Sequence, residues 1–164
     1  MKNICCVSLA AVSLATAISA PAPLQAATDI AAQPMSAQTV ARAVLAVQTS
    51  SLRSQKGVVR FCLTRDRQFF PDCTKDPAAR HLNVAAREAG DVRFGDLPYG
   101  LYALSLIHDE NNNGRLDTRL GIPREGFGFS NNPAILFGPP SFRAASFMID
   151  STSPHQAIKI KYMF

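Results

Sequence analysis

The sequence predicts an all-β sandwich of about seven short strands with one long ordered loop. Three observations carry that reading. Near the C-terminus Ile158, Ile160, Tyr162 and Phe164 alternate with Lys159, Lys161 and Met163, the period of two of a half-buried strand. Short β-branched and aromatic runs recur between glycine and proline punctuation. No long amphipathic helix separates them. With 47% hydrophobic residues and a net charge of +5 over 164 residues, the chain is neither disordered nor strongly acidic. The length suits one domain.

The N-terminus reads as a targeting segment. Lys2 is the only charge before an apolar run from Val7 to Ala20; Pro21, Pro23 and small residues then follow through Ala27. This is the layout of a secretory signal peptide, with cleavage expected after Ala26. Cys5 and Cys6 lie too early to become a lipid-anchoring cysteine at that point. The expected organisation is therefore a signal peptide over 1–26, a flexible lead-in over 27–37 and a β-sandwich domain over 38–164. No apolar run reaches the roughly 18 residues of a membrane-spanning helix. A periplasmic or secreted protein with no membrane span follows.

Within the domain, Val40 to Val47 is apolar and compatible with helix or strand. Val58 to Leu63 is β-branched and aromatic after Gly57, a strand. Residues 65–81 are polar, contain Pro71 and Pro77, and read as a long turn. Once the signal is removed only Cys62 and Cys73 remain. Two cysteines in an oxidising compartment pair by default, so a Cys62–Cys73 disulfide is expected to staple that turn. Leu82 to Ala86 reads as a short strand, and Val92 and Phe94 alternate with Asp91 and Arg93 as another. After Leu97-Pro98-Tyr99-Gly100, the strand Leu101 to His108 puts Tyr102, Leu104 and Leu106 on one face and Ala103, Ser105 and Ile107 on the other. Phe142 to Ile149 is expected as one strand with Ala145, Phe147 and Ile149 inward.

Between these last two strands lies Asp109 to Ser141, with five of the nine glycines. A loop this long in a small domain is usually functional or disordered. Ile135, Leu136 and Phe137, with Phe127 and Phe129, give it apolar anchors that a disordered linker lacks, so something should pin it down. Its start, Asp109-Glu110-Asn111-Asn112-Asn113-Gly114-Arg115-Leu116-Asp117, places oxygen side chains at the first, third, fifth and ninth positions and glycine at the sixth. Those are the side-chain positions of a calcium loop, with the glycine allowing the sharp turn. The seventh ligand would be the backbone carbonyl of Arg115. The twelfth position, normally a bidentate glutamate, is Leu120, so the loop is not a complete helix–loop–helix site. It resembles the short aspartate/asparagine calcium loops of extracellular modules. Glu110 or Glu125 could add a ligand. The competing reading is an Asx-rich turn whose side chains cap their own backbone. Farther along, Glu125, Phe127, Phe129 and Ser130 form the candidate binding part of the loop, aromatic anchors of the kind interfaces favour.

Other chemistry is sparse. His108 beside Asp109, with Ser130 downstream, makes a nucleophile–base pair conceivable, but no nucleophile-elbow motif accompanies it. Arg53, Lys56, Arg60, Arg65 and Arg67 are interspersed with apolar strand positions and read as a solvated face. There is no phosphate loop, metal-site cysteine pair or nucleic-acid motif.

Four blocks together carry a family resemblance: Phe94-Gly95-Asp96-Leu97-Pro98-Tyr99-Gly100-Leu101-Tyr102-Ala103, His108 to Asp117, Gly121 to Asn132, and Gly138-Pro139-Pro140-Ser141-Phe142. Over roughly Val40 to Phe164 the chain resembles an uncharacterised set of exported bacterial proteins, the domain of unknown function 2141 family. That resemblance implies a small exported sandwich of the immunoglobulin-like or prealbumin-like kind, akin to modules that also carry a Leu-Pro-x-Gly-x-Tyr hairpin. It brings no catalytic residues with it. The expected function is an exported non-catalytic binding or accessory module with a calcium-ordered loop and an envelope or extracellular ligand. The alternative is a small periplasmic hydrolase using His108 and neighbouring carboxylates.

Overall fold

A computed structural model describes residues 40–152 and 154–164; the expected signal peptide and lead-in lie outside the described residues. The fold is a β-sandwich. One sheet has three strands, with β1 (Arg42–Ser50) at its centre. The strand β4 (Asp91–Pro98) runs antiparallel beside it, and β10 (His155–Lys159) runs parallel on its other edge. The other sheet is built on the antiparallel pair β2 (Val58–Thr64) and β5 (Gly100–Asp109), with β3 (Arg80–Ala85) outside β2. Two short strands share the far edge of β5 end to end. They are β8 (Gly126–Phe129), which pairs Ser105 to His108, and β9 (Ser146–Ile149), which pairs Gly100 to Ala103. A small hairpin, β6 (Thr118–Arg119) and β7 (Ile122–Pro123), stands apart from both sheets.

The period-two patterns set the core. Leu45 and Val47 of β1, Val59, Phe61 and Leu63 of β2, Tyr102, Leu104 and Leu106 of β5, and Ile158 all point between the sheets and are buried. Phe61 and Phe94 meet edge to face across the sandwich, 6.3 Å between centroids. A register shift between Ala43 and Leu45, with Asp96 at φ +57°, lets both Phe94 and Leu97 face inward although they are three positions apart. The Tyr102 hydroxyl donates to the Pro98 carbonyl at 2.8 Å and closes the β4–β5 hairpin.

Part of the outer face of the larger sheet is covered. Ala103, Phe127, Phe129 and Ala145 form a second buried cluster with Phe70, Ile135 and Phe142 against it. The segment between β2 and β3 folds back over this face. Phe70 sits edge-on to Phe129 and to Phe142, at 5.8 and 5.9 Å, and Ser105 Oγ donates to the Pro71 carbonyl at 2.7 Å. That covering explains why β5 is apolar on both faces.

Three expectations are corrected. Phe142 to Ile149 is two elements: a single helical turn α1 (Phe142–Ala145), then β9. Pro139-Pro140 precedes the turn and Ser141 caps it, its side chain accepting the Ala144 N–H. Ala145 therefore faces the outer cluster and Ile149 the inner core, while Phe147 is half-buried. Asp109 to Ser141 is not one loop, because it contains the β6–β7 hairpin and β8. The Gly-Phe-Gly-Phe stretch is a strand because Ile158 and the Tyr162 ring approach where Cβ atoms at Gly128 and Gly126 would stand. Finally, regular pairing of the last strand ends at Lys159. Lys161 then exchanges two hydrogen bonds with Phe127 of β8, at 2.8 and 3.0 Å, and Phe164 is exposed. The tail thus crosses from one sheet to the other. Among the described residues, no helix is long and apolar enough to cross a membrane.

Candidate functional site

The site begins where β5 ends. His108 and Asp109 are both fully buried. Opposite them Gly57, at φ +70°, passes so close to the Asp109 carbonyl that any Cβ there would collide with it. His108 Nε2 lies 2.8 Å from the Lys56 carbonyl, and its Nδ1 lies 2.7 Å from the Tyr162 hydroxyl. A carbonyl can only accept, so Nε2 donates to Lys56. The ring is held between two chain segments, Lys56 on one side and Tyr162 on the other.

Beyond it the chain wraps around the Asp109 carboxylate. Oδ1 accepts the Asn113 N–H at 3.0 Å, and Oδ2 accepts the Gly114 N–H at 2.8 Å and Arg60 Nε at 2.7 Å. Asn112 and Gly114 take positive φ, +58° and +85°, to make the turn. Asn111 Oδ1 accepts the Asn113 N–H and Asn113 Oδ1 accepts the Arg115 N–H. The amides of Asn111 and Asn113 both donate to Asp117, at 2.7 and 2.9 Å. The four side chains read as calcium ligands therefore converge on one nest. Arg115 enters it through its N–H, and its side chain is exposed.

A second carboxylate locks the nest from below. Buried Glu125 accepts the Glu110 N–H on Oε1 at 3.1 Å and the Asp117 N–H on Oε2 at 3.0 Å. Arg124 N–H donates to the Asp117 carbonyl at 2.8 Å, closing the base of the β6–β7 hairpin. On the flank, Arg53 donates to Glu110 and to the Phe164 and Arg124 carbonyls while its guanidinium lies 4.5 Å over the Tyr162 ring. Ser54 also donates to Glu110, at 2.8 Å.

These contacts set the charges. Burial pushes the Asp109 carboxyl up, but the Arg60 hydrogen bond and the two backbone N–H groups together hold it below the usual aspartate range. The Arg53 guanidinium holds Glu110 low, and the Asn113 and Asn111 amides do the same for Asp117.

Other expected site residues lie elsewhere. Phe127 and Phe129 are core residues of β8, and Ser130 is fully buried, its Oγ accepting the Leu104 N–H and donating to the Ala145 carbonyl. Two-sided burial of β5 drew these aromatics inward, so they are not surface anchors. What the segment exposes most is Leu120, 95% accessible at the hairpin tip, with Leu136 at 81% and Phe137 at 99%, so the last two are not the anchors expected of them. Cys62 and Cys73 lie at disulfide distance, with Cα atoms 6.2 Å apart.

The sequence reading missed Arg53 and Arg60 as partners of the loop. The signal was available for Arg60: it pairs with Ile107 in the β2–β5 register, so Arg60 and Asp109 are diagonal neighbours on one face.

A two-sheet sandwich carrying a carboxylate-centred loop at one strand end defines a β-sandwich module. The chain belongs to a family of uncharacterized proteins conserved in bacteria, domain of unknown function 2141, whose pattern matches residues 47–157. No curated protein and no solved structure matches it.

Proposed function

We propose that this protein is an exported, non-catalytic binding or accessory module, periplasmic or secreted, whose Asp109–Asp117 loop is ordered further by calcium. The observation that carries the reading is the Glu125 clamp. One buried carboxylate ties both ends of the loop, so the side chains of Asp109, Asn111, Asn113 and Asp117 are drawn together before any ion arrives. The hairpin that presents Leu120 and Ile122 grows directly from that base. Ordering the loop orders this surface.

The donor chemistry fits calcium, with hard oxygens on a chain that can adjust. An ion must compete with the hydrogen bonds already present. The Asn111 and Asn113 amides would turn oxygen-inward to release both Asp117 oxygens, while Asp109 keeps Arg60. That competition and the low charge of the set imply weak affinity, on the order of 10⁻⁴ M. The hydrolase alternative would need His108 to leave both Tyr162 and Lys56, and Ser130 to leave two backbone partners.

Calcium titration followed by melting temperature and calorimetry tests the reading. Stabilisation should grow with the logarithm of free calcium above the dissociation constant, and magnesium should do less. Absence of both heat and a melting shift at millimolar calcium would leave the loop as a self-capped Asx turn.

A further inference from the structure

We infer that Cys62, Cys73 and His81 form a redox-gated site for a zinc-class cation, closed when the cysteines are joined and open to metal when they are reduced. This site is on the outer face of the larger sheet and does not depend on the calcium reading.

The geometry is set by the sheet. Cys62 on β2 and His81 on β3 are direct cross-strand partners. Side chains so paired share a face with Cβ atoms roughly 5 Å apart. Cys73 comes onto the same spot from the covering segment. The two sulfurs and a His81 ring nitrogen all lie within 4.8 Å of one another. Zinc binds thiolate at about 2.3 Å and imidazole at about 2.0 Å, so donors of one tetrahedral site are neighbours on this scale. Cys73 is buried, Cys62 half-buried and His81 exposed, which leaves the fourth position facing water. Three protein ligands and an open position is a recognised zinc arrangement.

Contacts other than the cysteine bond also hold the covering segment. Phe70 packs against Phe129 and Phe142, Ser105 holds the Pro71 carbonyl, and the Asp76 N–H holds the Cys73 carbonyl at 3.1 Å. Opening the bond therefore leaves Cys73 near Cys62 and His81. The chemistry balances with a thiol reductant. Two reductant thiols become its disulfide, the Cys62–Cys73 bond becomes two thiols, and metal binding releases their two protons while His81 donates as the neutral imidazole. Disulfide and metal use the same sulfurs, so the two states exclude each other.

The test is anaerobic titration of reduced, desalted protein with cobalt(II), followed by displacement with zinc. One equivalent should raise a thiolate-to-cobalt charge-transfer band, and zinc should abolish it. Oxidised protein should give no band. His81→Ala, a change at an exposed side chain, should weaken cobalt binding by roughly tenfold or more while the circular dichroism stays that of the parent. Bound zinc should also slow re-formation of the disulfide, read by thiol alkylation. A reduced protein without the band, or a His81→Ala variant that binds as tightly as the parent, would overturn the proposal.

Discussion

Arg60 Nε lies 2.7 Å from Asp109 Oδ2, and the accepting side chain has no exposed surface at all. One strand thus supplies the counter-charge for a carboxylate at the end of its neighbour. The Arg60 Nη2 group goes on to Asn112 at 2.8 Å, so the same guanidinium also braces the turn.

Removing that guanidinium should be expensive. Arg60→Ala leaves a buried carboxylate with only two N–H partners; with Arg60 itself partly exposed, the loss should be about 1–3 kcal/mol. Thermal or urea unfolding measures it. If Arg60→Ala unfolds like the parent, the backbone N–H groups suffice for Asp109. Asp109→Asn in the Arg60→Ala background should recover part of the loss, since no charge is then buried alone.

Acid should weaken the fold through the same loop. Asp109, Glu110 and Asp117 are held below their ordinary ranges in the folded protein. The folded state therefore binds protons less readily than the unfolded chain. Its advantage is complete above the unfolded carboxyl values of about 4 and is lost as pH falls from there through the lower folded values. Melting temperature should be flat in these groups above about pH 5 and drop below it. Glu110→Gln should flatten that drop; an identical pH profile would mean Arg53 does not tune this carboxyl.

Glu125→Ala should free the hairpin while sparing the sandwich. The change strips two backbone N–H groups of their acceptor, at a cost of about 1–3 kcal/mol if they stay buried. Trypsin should then cut after Arg115 and Arg119, both exposed, while β-sheet circular dichroism persists. Protection equal to the parent would show that the Asn111–Asn113–Asp117 hydrogen bonds hold the segment by themselves.

Phe129→Ala should destabilise by about 3–5 kcal/mol, as a buried aromatic lost from a packed cluster does. A surface anchor would give almost no change. Alkylation of the unreduced protein should add nothing to the mass of Cys62 or Cys73, and reduction should lower stability by about 3 kcal/mol.

Strand existence was legible because period-two alternation is a local property. Tyr102, Leu104 and Leu106 face the core as their spacing requires, and Ile158 does too. Residues 126–129 were illegible for the opposite reason. Glycine is a poor strand former by itself, and only the approach of Ile158 and Tyr162 from the far end of the chain makes Gly128 and Gly126 fitting there. The Asx spacing located the loop and its converging side chains. Its electrostatic partners, Arg53 and Arg60, come from other segments, and a reading that takes each run by itself assigns them to solvent.

The pairing of β1 with β10 bears on how the domain comes together. Ala46 lies opposite His155 and Ser50 opposite Lys159, so the first strand finds this neighbour only when the last has been made. The tail then stitches the second sheet through Lys161 and Phe127. A chain emerging from its N-terminal end carries an open β1 edge for almost the whole of its synthesis. Contacts this distant in sequence form slowly. Assembly is therefore an end-to-end event, and a chain cut short before residue 155 would present that edge to its neighbours as a template for aggregation.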